Sequence, residues 1–377
     1  MHSHDRPRRV VATPAALSVV WSGGEVSEFD SLWLRDNRPQ DRDAPSGQRL
    51  IDITDVPENP TIRSAALGDS AVIVEWHGEP HAASFDLGWL WKHSRQNPAS
   101  SGEPEVHLWL EGRSLDARTA FAWLPMDMLA DPARRASWLG RLLRDGIAFL
   151  SEVPARESSV LDAAASIGSV AETNYGRTFD VRSVPQPENL AYSDVGLGLH
   201  TDNPYREPVP GFQALHALVA APAGGASLLA DGFAIAEHLR ATQPEAFERL
   251  TRHPVGFRYQ SKDADLQAQR PLIQLSHAGA VAAVHYNNRS IAPLRLAQPD
   301  LRPFYAAYRR FAMLLQRPEF QATLQLAAGE MMVFDNQRVL HGRTAYSSTQ
   351  HARHLRGCYL TRDSVRSQAA VAARERT

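Results

Sequence analysis

The chain has 377 residues, of which 43% are hydrophobic, and its formal net charge is −2. This length suits one large domain plus a smaller one, or two domains of similar size, and the hydrophobic content favours a sizeable core over a disordered chain. The near-neutral charge provides no basic field for nucleic acid, and no apolar run is long enough to span a membrane.

The cysteine content points to a reducing compartment. The single cysteine, Cys358, excludes an intramolecular disulfide and a cysteine-rich zinc site. The N-terminal segment lacks the long apolar core of a signal peptide. We therefore expect a cytoplasmic protein whose partners include neither nucleic acid nor membrane.

The first hundred residues show short strand patterns separated by turns. These segments are VSEF, RLIDI, AVIVEWHG and HAASFD, and the following LGWLWKHSRQN has the periodicity of a helix. The stretch PASSGEPE at 98–105 is rich in Pro, Gly and Ser, which is typical of a linker. We therefore predict a small β-rich domain over residues 1–100 and a catalytic domain over residues 101–377.

The second part of the chain begins with a predicted helix over 126–145, which Gly146 ends as a cap. Further helices are predicted at 156–168, 233–250 and 299–315. Many other segments have strand character, among them IAFLSEV, FQALHALVA, ASLLAD, EMMVFDN and HLRGCYLT. This pattern predicts a mainly β fold with flanking helices, a β-sandwich or jelly roll rather than a parallel doubly wound sheet.

The segment GLHTDNPYREP contains a histidine and an aspartate two residues apart, His200 and Asp202. Side chains at i and i+2 share one face of a strand, so the pair is predicted to converge on one point. The best third ligand is His341 in DNQRVLHGR. Two histidines and one carboxylate with open coordination positions are typical of non-haem Fe(II) sites for oxygen chemistry.

Such an iron needs electrons to activate O2, and a keto acid that chelates the metal is a common source. The distal carboxylate of the keto acid requires a bidentate arginine and a hydroxyl donor. Arg353 follows His341 by twelve residues, and Ser227 begins a strand after a Gly-Gly turn. These two residues are therefore the candidates for binding the keto acid.

Four segments, NLAYSDVGLGLHTDNPYREPVPGFQALH, GGASLLADG, DNQRVLHGR and RHLRGCYLTRD, together resemble the γ-butyrobetaine dioxygenase family, a branch of the taurine-dioxygenase-like Fe(II)/2-oxoglutarate oxygenases. LWLRDN and SFDLGWLWKH resemble the small N-terminal domain of that family. The resemblance implies a double-stranded β-helix catalytic domain and assigns the iron and 2-oxoglutarate sites. The iron ligands would be His200, Asp202 and His341, and the 2-oxoglutarate site would contain Arg353, Ser227 and the backbone of Leu215.

The resemblance also implies a small zwitterionic substrate. Hydroxylation would consume O2 and 2-oxoglutarate, release CO2 and succinate, and use ascorbate as reductant. A trimethylammonium group donates no hydrogen bond and is held by aromatic faces through cation–π attraction. The resemblance assigns this aromatic cage to Tyr175, Phe179, Tyr192 and Tyr359. It assigns the contacts with the substrate's anionic end to Asn189 and Asn287. γ-Butyrobetaine, hydroxylated to L-carnitine, is the first candidate.

The N-terminal domain departs from the family pattern. Family members usually bind zinc there through cysteines after RDN and a histidine, whereas RDNRPQDRD has Arg38, Gln40 and Asp43, and His81 remains alone. We predict no zinc, and a domain held by packing or by polar contacts among these charged residues.

Other interpretations stay open. Relatives with NPYR after the aspartate accept other small zwitterions, so an aminoalkylphosphonate or another amino-acid-like substrate is the first alternative. A catalytically inactive binding homologue is a second, and a zinc hydrolase that uses the same three residues is a third. Family members are often homodimers, and the resemblance allows a homodimer here, although no residue decides it.

Overall fold

The computed structural model describes residues 6–94, 105–109, 115–182, 196–220, 224–345 and 353–375. The chain divides into two compact units, Met1–Glu103 and Pro104–Thr377. The boundary predicted after residue 100 lies within 95–104, outside the described residues. Within the described ranges, no helix is both long and apolar enough to cross a bilayer.

The N-terminal unit contains two antiparallel three-stranded sheets. The first consists of β1 (Pro7–Ala12), β2 (Ala16–Trp21) and β3 (Val26–Asp30), and the second of β4 (Ile62–Leu67), β5 (Ala71–Trp76) and β6 (Ala83–Asp86). Each sheet leads into a short helix, α1 (Ser31–Asp36) or α2 (Leu87–Lys92). Asp30 and Asp86 cap these helices by accepting hydrogen bonds from backbone N–H groups of the first turn.

The core of the N-terminal unit follows from strand alternation. Leu17, Val19 and Trp21 on β2 are buried, while the residues between them are partly exposed. One sequence prediction was wrong, because RLIDI does not form a strand. It leads into a 3-10 turn at Ile53–Asp55, where Asp52 and Asp55 cap each other's backbone and so favour a turn.

The second unit is built around two main β-sheets. The larger sheet has the order β10 (Val170–Ala171), β22 (His354–Leu360), β13 (Phe212–Val219), β20 (Met331–Asp335), β9 (Ile147–Ser151) and β8 (Trp123–Pro125), and β11 (Phe179–Arg182) also pairs with β22. The smaller sheet has the order β12 (Leu197–His200), β21 (Val339–Arg343), β14 (Ser227–Asp231), β19 (Gln321–Leu324) and β7 (Leu115–Asp116).

Side chains from both sheets meet in one buried apolar cluster. Leu215 and Phe334 of the larger sheet belong to it together with Leu229, Ala322 and Val339 of the smaller sheet. The strands β13, β20, β22, β14 and β21 pair antiparallel with their neighbours. Face-to-face packing of antiparallel sheets confirms the predicted jelly roll and excludes a doubly wound parallel sheet.

Helices cover the outer faces of both sheets. α4 (Pro132–Asp145), α5 (Ser159–Ala164) and α9 (Arg362–Arg374) pack on the larger sheet. The smaller sheet is covered by α6 (Gly232–Thr242), α7 (Pro244–Arg252), α8 (Gln298–Leu314) and the hairpins β15 (Val255–Gln260)–β16 (Asp265–Arg270) and β17 (Ile273–Leu275)–β18 (Val281–Val284). A single turn, α3 (Ala117–Ala120), follows β7.

Two predicted helices are divided by prolines. The helix expected over 126–145 consists of a 3-10 turn, Met126–Ala130, followed by α4, which starts at Pro132. The helix expected over 233–250 ends at Thr242, and α7 then begins at Pro244. Proline fits the first turn of a helix because its missing N–H would have no intrahelical partner there.

Candidate active site

Three potential metal ligands converge where β12 pairs with β21. His200 is the last residue of β12 and lies opposite His341 of β21 in the antiparallel register. Asp202 Oδ1 is 3.2 Å from His200 Nε2, and Asp202 Oδ2 is 3.8 Å from His341 Nε2. One donor atom from each of the three residues lies within 4.8 Å of the others. The structure therefore brings the three predicted ligands together.

The local backbone differs from the expected strand. β12 ends at His200, so Asp202 lies in the following bend and not on the same strand face. Asn336 holds this bend: its Oδ1 accepts from the Asp202 backbone N–H at 2.7 Å, and its Nδ2 donates to the Asp202 carbonyl at 3.0 Å. Asn336 is fully buried, and no sequence pattern indicated its role.

The protonation states of the triad suit metal binding. Burial opposes the negative charge of Asp202, but the two histidines and the hydrogen bond from Tyr359 outweigh it and lower the pKa of Asp202 well below its usual range. Burial and the neighbouring His200 lower the pKa of His341 to about 3. The carboxylate is thus ionised and His341 is neutral, which are the forms that coordinate metals.

His200 is oriented by its own strand. Its Nδ1–H donates to the Gly198 carbonyl at 2.9 Å, which leaves Nε2 facing Asp202. A hydrogen bond at the second ring nitrogen commonly fixes the orientation of a ligating histidine. Two buried histidines and one ionised carboxylate are a donor set that fits Fe(II) with open coordination positions.

Both residues predicted for the keto acid line the cavity that contains the triad. Ser227 begins β14 opposite Arg343 of β21, and Arg353 is buried just before β22. Leu215 of β13 also lines this cavity. Arg343, which the sequence left without a role, is a second buried arginine in the same lining.

Three of the four predicted cage aromatics lie at the cavity, and the fourth is not described. Tyr175, Phe179 and Tyr359 line it, with the rings of Phe179 and Tyr359 4.9 Å apart. The Tyr359 hydroxyl donates to Asp202 Oδ2 at 2.8 Å. Tyr192 and Asn189 belong to 183–195, outside the described residues.

Asn287, the other predicted contact for the substrate anion, is buried and lines a groove beside the cavity. Its Nδ2 donates to the Thr201 carbonyl at 3.0 Å, and its Oδ1 accepts from the Arg289 backbone N–H at 3.2 Å. These bonds connect Asn287 to the bend that follows His200. Its predicted substrate contact stays a prediction.

Sequence reasoning missed two further polar residues of the cavity, Asn203 and Gln213. Gln213 is a buried polar residue in the apolar run FQALHALV, and that contrast was a usable signal. Asn203 directly follows Asp202 and has a backbone φ of 53°. This left-handed conformation could not be identified from the sequence.

Comparison with known proteins places the chain in a family. Residues 124–359 match the family model described as taurine catabolism dioxygenase TauD, TfdA family. The chain is 35% identical over 373 residues to a γ-butyrobetaine dioxygenase from Pseudomonas sp. (strain AK-1), covering 96% of this chain and 94% of the relative. It is 29% identical to the γ-butyrobetaine dioxygenase of Homo sapiens, covering 94% of each chain.

Further matches extend the same relationship. A trimethyllysine dioxygenase from Meyerozyma guilliermondii is 29% identical, over 94% of this chain and 92% of the relative. Among solved structures, a taurine dioxygenase from Burkholderia xenovorans superposes with a TM-score of 0.51 at 18% identity, over 67% of this chain and 90% of that chain, and supports the fold. The chain belongs to the TauD, TfdA family and is a dioxygenase of the Fe(II)/2-oxoglutarate-dependent class.

Proposed function

We propose that this chain hydroxylates a small trimethylammonium zwitterion, with γ-butyrobetaine as the first candidate substrate and L-carnitine as its product. The observation that carries this proposal is the ring pair of Phe179 and Tyr359, which lies beside Asp202 in the cavity that also contains Arg353. Relatives named γ-butyrobetaine dioxygenase, at 35% and 29% identity over nearly the whole chain, support the same substrate.

The triad residues His200, Asp202 and His341 would hold Fe(II). When bound, the iron supplies the oxidising chemistry that inserts an oxygen atom from O2 into a C–H bond as 2-oxoglutarate is converted to succinate and CO2. The protein keeps Asp202 ionised and His341 neutral, and Gly198 orients His200. Asn336 fixes the bend on which Asp202 lies.

The remaining cavity residues would position the two organic molecules. A buried guanidinium and a hydroxyl can both donate hydrogen bonds to a carboxylate. The distal carboxylate of 2-oxoglutarate is therefore assigned to Arg353 and Ser227, and Leu215 would form an apolar wall beside it. The faces of Phe179, Tyr359 and Tyr175 suit a cation without hydrogen-bond donors. Because most of these side chains are buried, bound reactants would be shielded from bulk water.

An aminoalkylphosphonate is the second candidate substrate. It shares the charge pattern of γ-butyrobetaine, with a cation at one end and an anion at the other. The observation that favours it is the segment NPYR at 203–206, whose first residue, Asn203, is buried at the cavity. A phosphonate has three oxygen acceptors and uses additional donors of this kind better than a carboxylate does.

Succinate formation tests the proposal directly. The enzyme is supplied with Fe(II), 2-oxoglutarate and ascorbate, and with γ-butyrobetaine, trimethyllysine, 2-(trimethylamino)ethylphosphonate or 2-aminoethylphosphonate in turn. We expect γ-butyrobetaine to stimulate turnover most strongly. Stimulation by 2-aminoethylphosphonate alone would contradict the trimethylammonium assignment, and bound iron without turnover for any compound would contradict the substrate class.

A pair of histidine variants tests the assignment of the iron ligands. His200→Ala is expected to abolish Fe(II) binding and succinate formation, because two of three ligands rarely hold the ion. His277, an exposed histidine outside the cavity, provides the matched variant His277→Ala, which should behave as wild type. Wild-type iron content in His200→Ala would refute the ligand assignment.

A further inference from the structure

Gly357 of β22 lies directly opposite Phe179 of β11 in the antiparallel register. A Cβ atom at Gly357 would lie 2.6 Å from Cζ and 2.7 Å from Cε2 of Phe179. Carbon atoms in contact are normally about 3.5–4.0 Å apart, so the ring occupies the space that a side chain at 357 would need. The far edge of the Phe179 ring therefore lies over the backbone of β22.

The same gap also accommodates Leu215, which lies opposite Gly357 on the other neighbouring strand, β13. The added Cβ atom would lie 2.8 Å from Cδ2 of Leu215. Phe179 and Leu215 both line the cavity of the triad. A methyl group at 357 would overfill this gap, and the contacts are with the outer ends of side chains, which move more easily than backbone.

The strand that carries Phe179 is weakly supported by its backbone alone. β11 has four residues, and among the described strands it pairs with β22 only. A short strand with a single neighbour has few ladder hydrogen bonds. Side-chain pairs across the two strands therefore contribute to holding β11 in place.

Asp180 makes such pairs on the face of β11 that points away from the cavity, because neighbouring side chains alternate. Arg356 lies opposite it, and Nη1 of Arg356 donates to both of its carboxylate oxygens, at 2.9 and 3.1 Å. His354 Nε2 is 2.8 Å from Asp180 Oδ1. Arg356 Nη2 also donates to Thr178 Oγ1 at 3.1 Å. β22 is thus bonded to the residues on both sides of Phe179.

We propose that Gly357 and Asp180 are positioning residues that set the Phe179 ring against Tyr359 and so fix the size of the cationic group that the cavity admits. This inference rests on the proposed function, which gives the two rings, 4.9 Å apart, a part in binding a trimethylammonium group. Gly357 sets how closely the ring approaches β22. Asp180 fixes the strand that carries the ring. A side chain at 357 would lift the ring into the cavity and narrow the space beside Tyr359.

Two variants and two matched controls test the proposal. Gly357→Ala fills the gap under the ring, and Asp180→Asn weakens the pairing of β11 with β22. Gly140→Ala is the first control, since a Cβ atom there meets no heavy atom within 4 Å. Asp265→Asn is the second control, because it removes an exposed carboxylate that pairs with Arg258 between β15 and β16. Both controls should behave as wild type.

The affinities of two ligands that differ by one methyl group test the size of the cation site. These are γ-butyrobetaine and 4-(dimethylamino)butanoate. We expect Gly357→Ala to raise the Kd of γ-butyrobetaine about fivefold or more and that of the smaller ligand less than about twofold, because the lifted ring leaves room for a smaller group. Equal losses for the two ligands would overturn the role of Gly357 in selecting cation size.

The kinetic effect of Asp180→Asn should be confined to one of the two organic reactants. We expect KM for γ-butyrobetaine to rise about threefold or more and KM for 2-oxoglutarate to change less than about twofold, because Asp180 lies on the face of the sheet away from Leu215. Equal rises in both KM values would indicate a general disturbance of the fold and would contradict a positioning role for Asp180.

A double variant shows whether Gly357 acts through the ring. In Phe179→Leu the ring is absent, so the addition of Gly357→Ala should have little further effect on the Kd of γ-butyrobetaine. An undiminished effect in the double variant would show that the methyl group acts through Leu215 or the backbone, and would refute the proposal.

The position of the ring can also be measured without any substrate. Enzyme that contains 4-fluorophenylalanine gives a 19F resonance for Phe179, identified by its loss in Phe179→Leu. We expect this resonance to shift in Gly357→Ala and in Asp180→Asn and to stay in place in both controls. Shifted resonances in an enzyme that no trimethylammonium compound stimulates would refute the proposed function and leave the positioning role in place. An unshifted resonance in either variant would refute the role of that residue.

Discussion

The hydroxyl of Tyr359 donates a 2.8 Å hydrogen bond to Oδ2 of Asp202, while its ring lies 4.9 Å from the ring of Phe179. Burial and the Asp202 charge raise the pKa of Tyr359 far above its ordinary value, so the hydroxyl stays protonated and can donate. One side chain therefore contacts both the carboxylate of the triad and the aromatic surface. Of these two contacts, the sequence suggested only the one with the aromatic surface.

The two contacts of Tyr359 can be separated by substitution. Tyr359→Phe keeps the ring and removes the donor. Loss of a partner behind a metal ligand typically costs about 10- to 100-fold in metal affinity or activity, and we expect a loss of that size here. KM for the trimethylammonium substrate should change by less than about threefold, because the ring face remains.

Titration of succinate formation against Fe(II) and against substrate measures both parameters. The matched variant is Tyr305→Phe, which removes a hydroxyl from an exposed tyrosine outside the cavity and should leave both parameters unchanged. An unaltered Fe(II) dependence in Tyr359→Phe would show that the hydrogen bond to Asp202 has no part in metal binding.

Phe179 tests the cation–π interpretation. Phe179→Leu keeps an apolar side chain but removes the ring face, and a cation–π contact of about 1 kcal/mol predicts a rise in the Kd of γ-butyrobetaine of about fivefold. The uncharged isostere 5,5-dimethylhexanoate has the same shape without the positive charge. Its Kd should change much less. Equal losses for both ligands would mean that Phe179 acts through shape alone.

Arg353 and Arg343 are both buried in the cavity. Substitution of each can show which of the two arginines binds 2-oxoglutarate. Arg353→Lys keeps the charge but loses the planar fork that binds a carboxylate through two bonds. We expect KM for 2-oxoglutarate to rise about tenfold or more. Arg343→Lys is the matched comparison. A larger rise in Arg343→Lys than in Arg353→Lys would reverse the assignment.

The sequence predicted the parts of the molecule that depend on periodicity and on motif spacing. Short apolar runs bounded by turn residues predicted the central strands of the second unit, such as β9, β13 and β20. The two segments around His200 and His341 predicted the triad. The bend at Asp202 and its bonds to Asn336 were not predicted, because they depend on a contact across 134 residues. The orientation of Asn203 likewise depends on Tyr205 and on a local φ value that no pattern encodes.

The N-terminal unit holds a network of four charged residues. Arg35 and Arg38 both bond Asp41 at 2.8 Å, and they also reach Glu79 at 2.7 and 3.2 Å. Of the residues expected to make polar contacts, Arg38 belongs to this network, whereas Gln40 donates to the Ala82 carbonyl and Asp43 accepts from Ser46. His81 is exposed. The network joins the segment after α1 to the turn before β6.

Asp41→Asn should therefore destabilise the N-terminal unit. The substitution removes one of the two carboxylates that the largely buried Arg35 and Arg38 share, and Glu79 remains as the other; losing hydrogen bonds to a charged group typically costs about 2 kcal/mol. Urea unfolding of the full chain, followed by tryptophan fluorescence, measures the loss. Glu28→Gln removes the same charge from an exposed position of β3 and should cost less than about 0.5 kcal/mol.

The same network predicts that the stability of the N-terminal unit falls as the pH is lowered. The hydrogen bond from Arg38 is the main cause that holds the pKa of Asp41 below its ordinary 3.8. A lowered carboxyl pKa contributes stability that is present above the ordinary value and is lost as pH falls through the lowered one. The difference in unfolding free energy between wild type and Asp41→Asn should thus be constant from about pH 5 to pH 7 and shrink below about pH 3.8. A difference that persists undiminished in acid would show that Asp41 stabilises the unit through packing rather than through its charge.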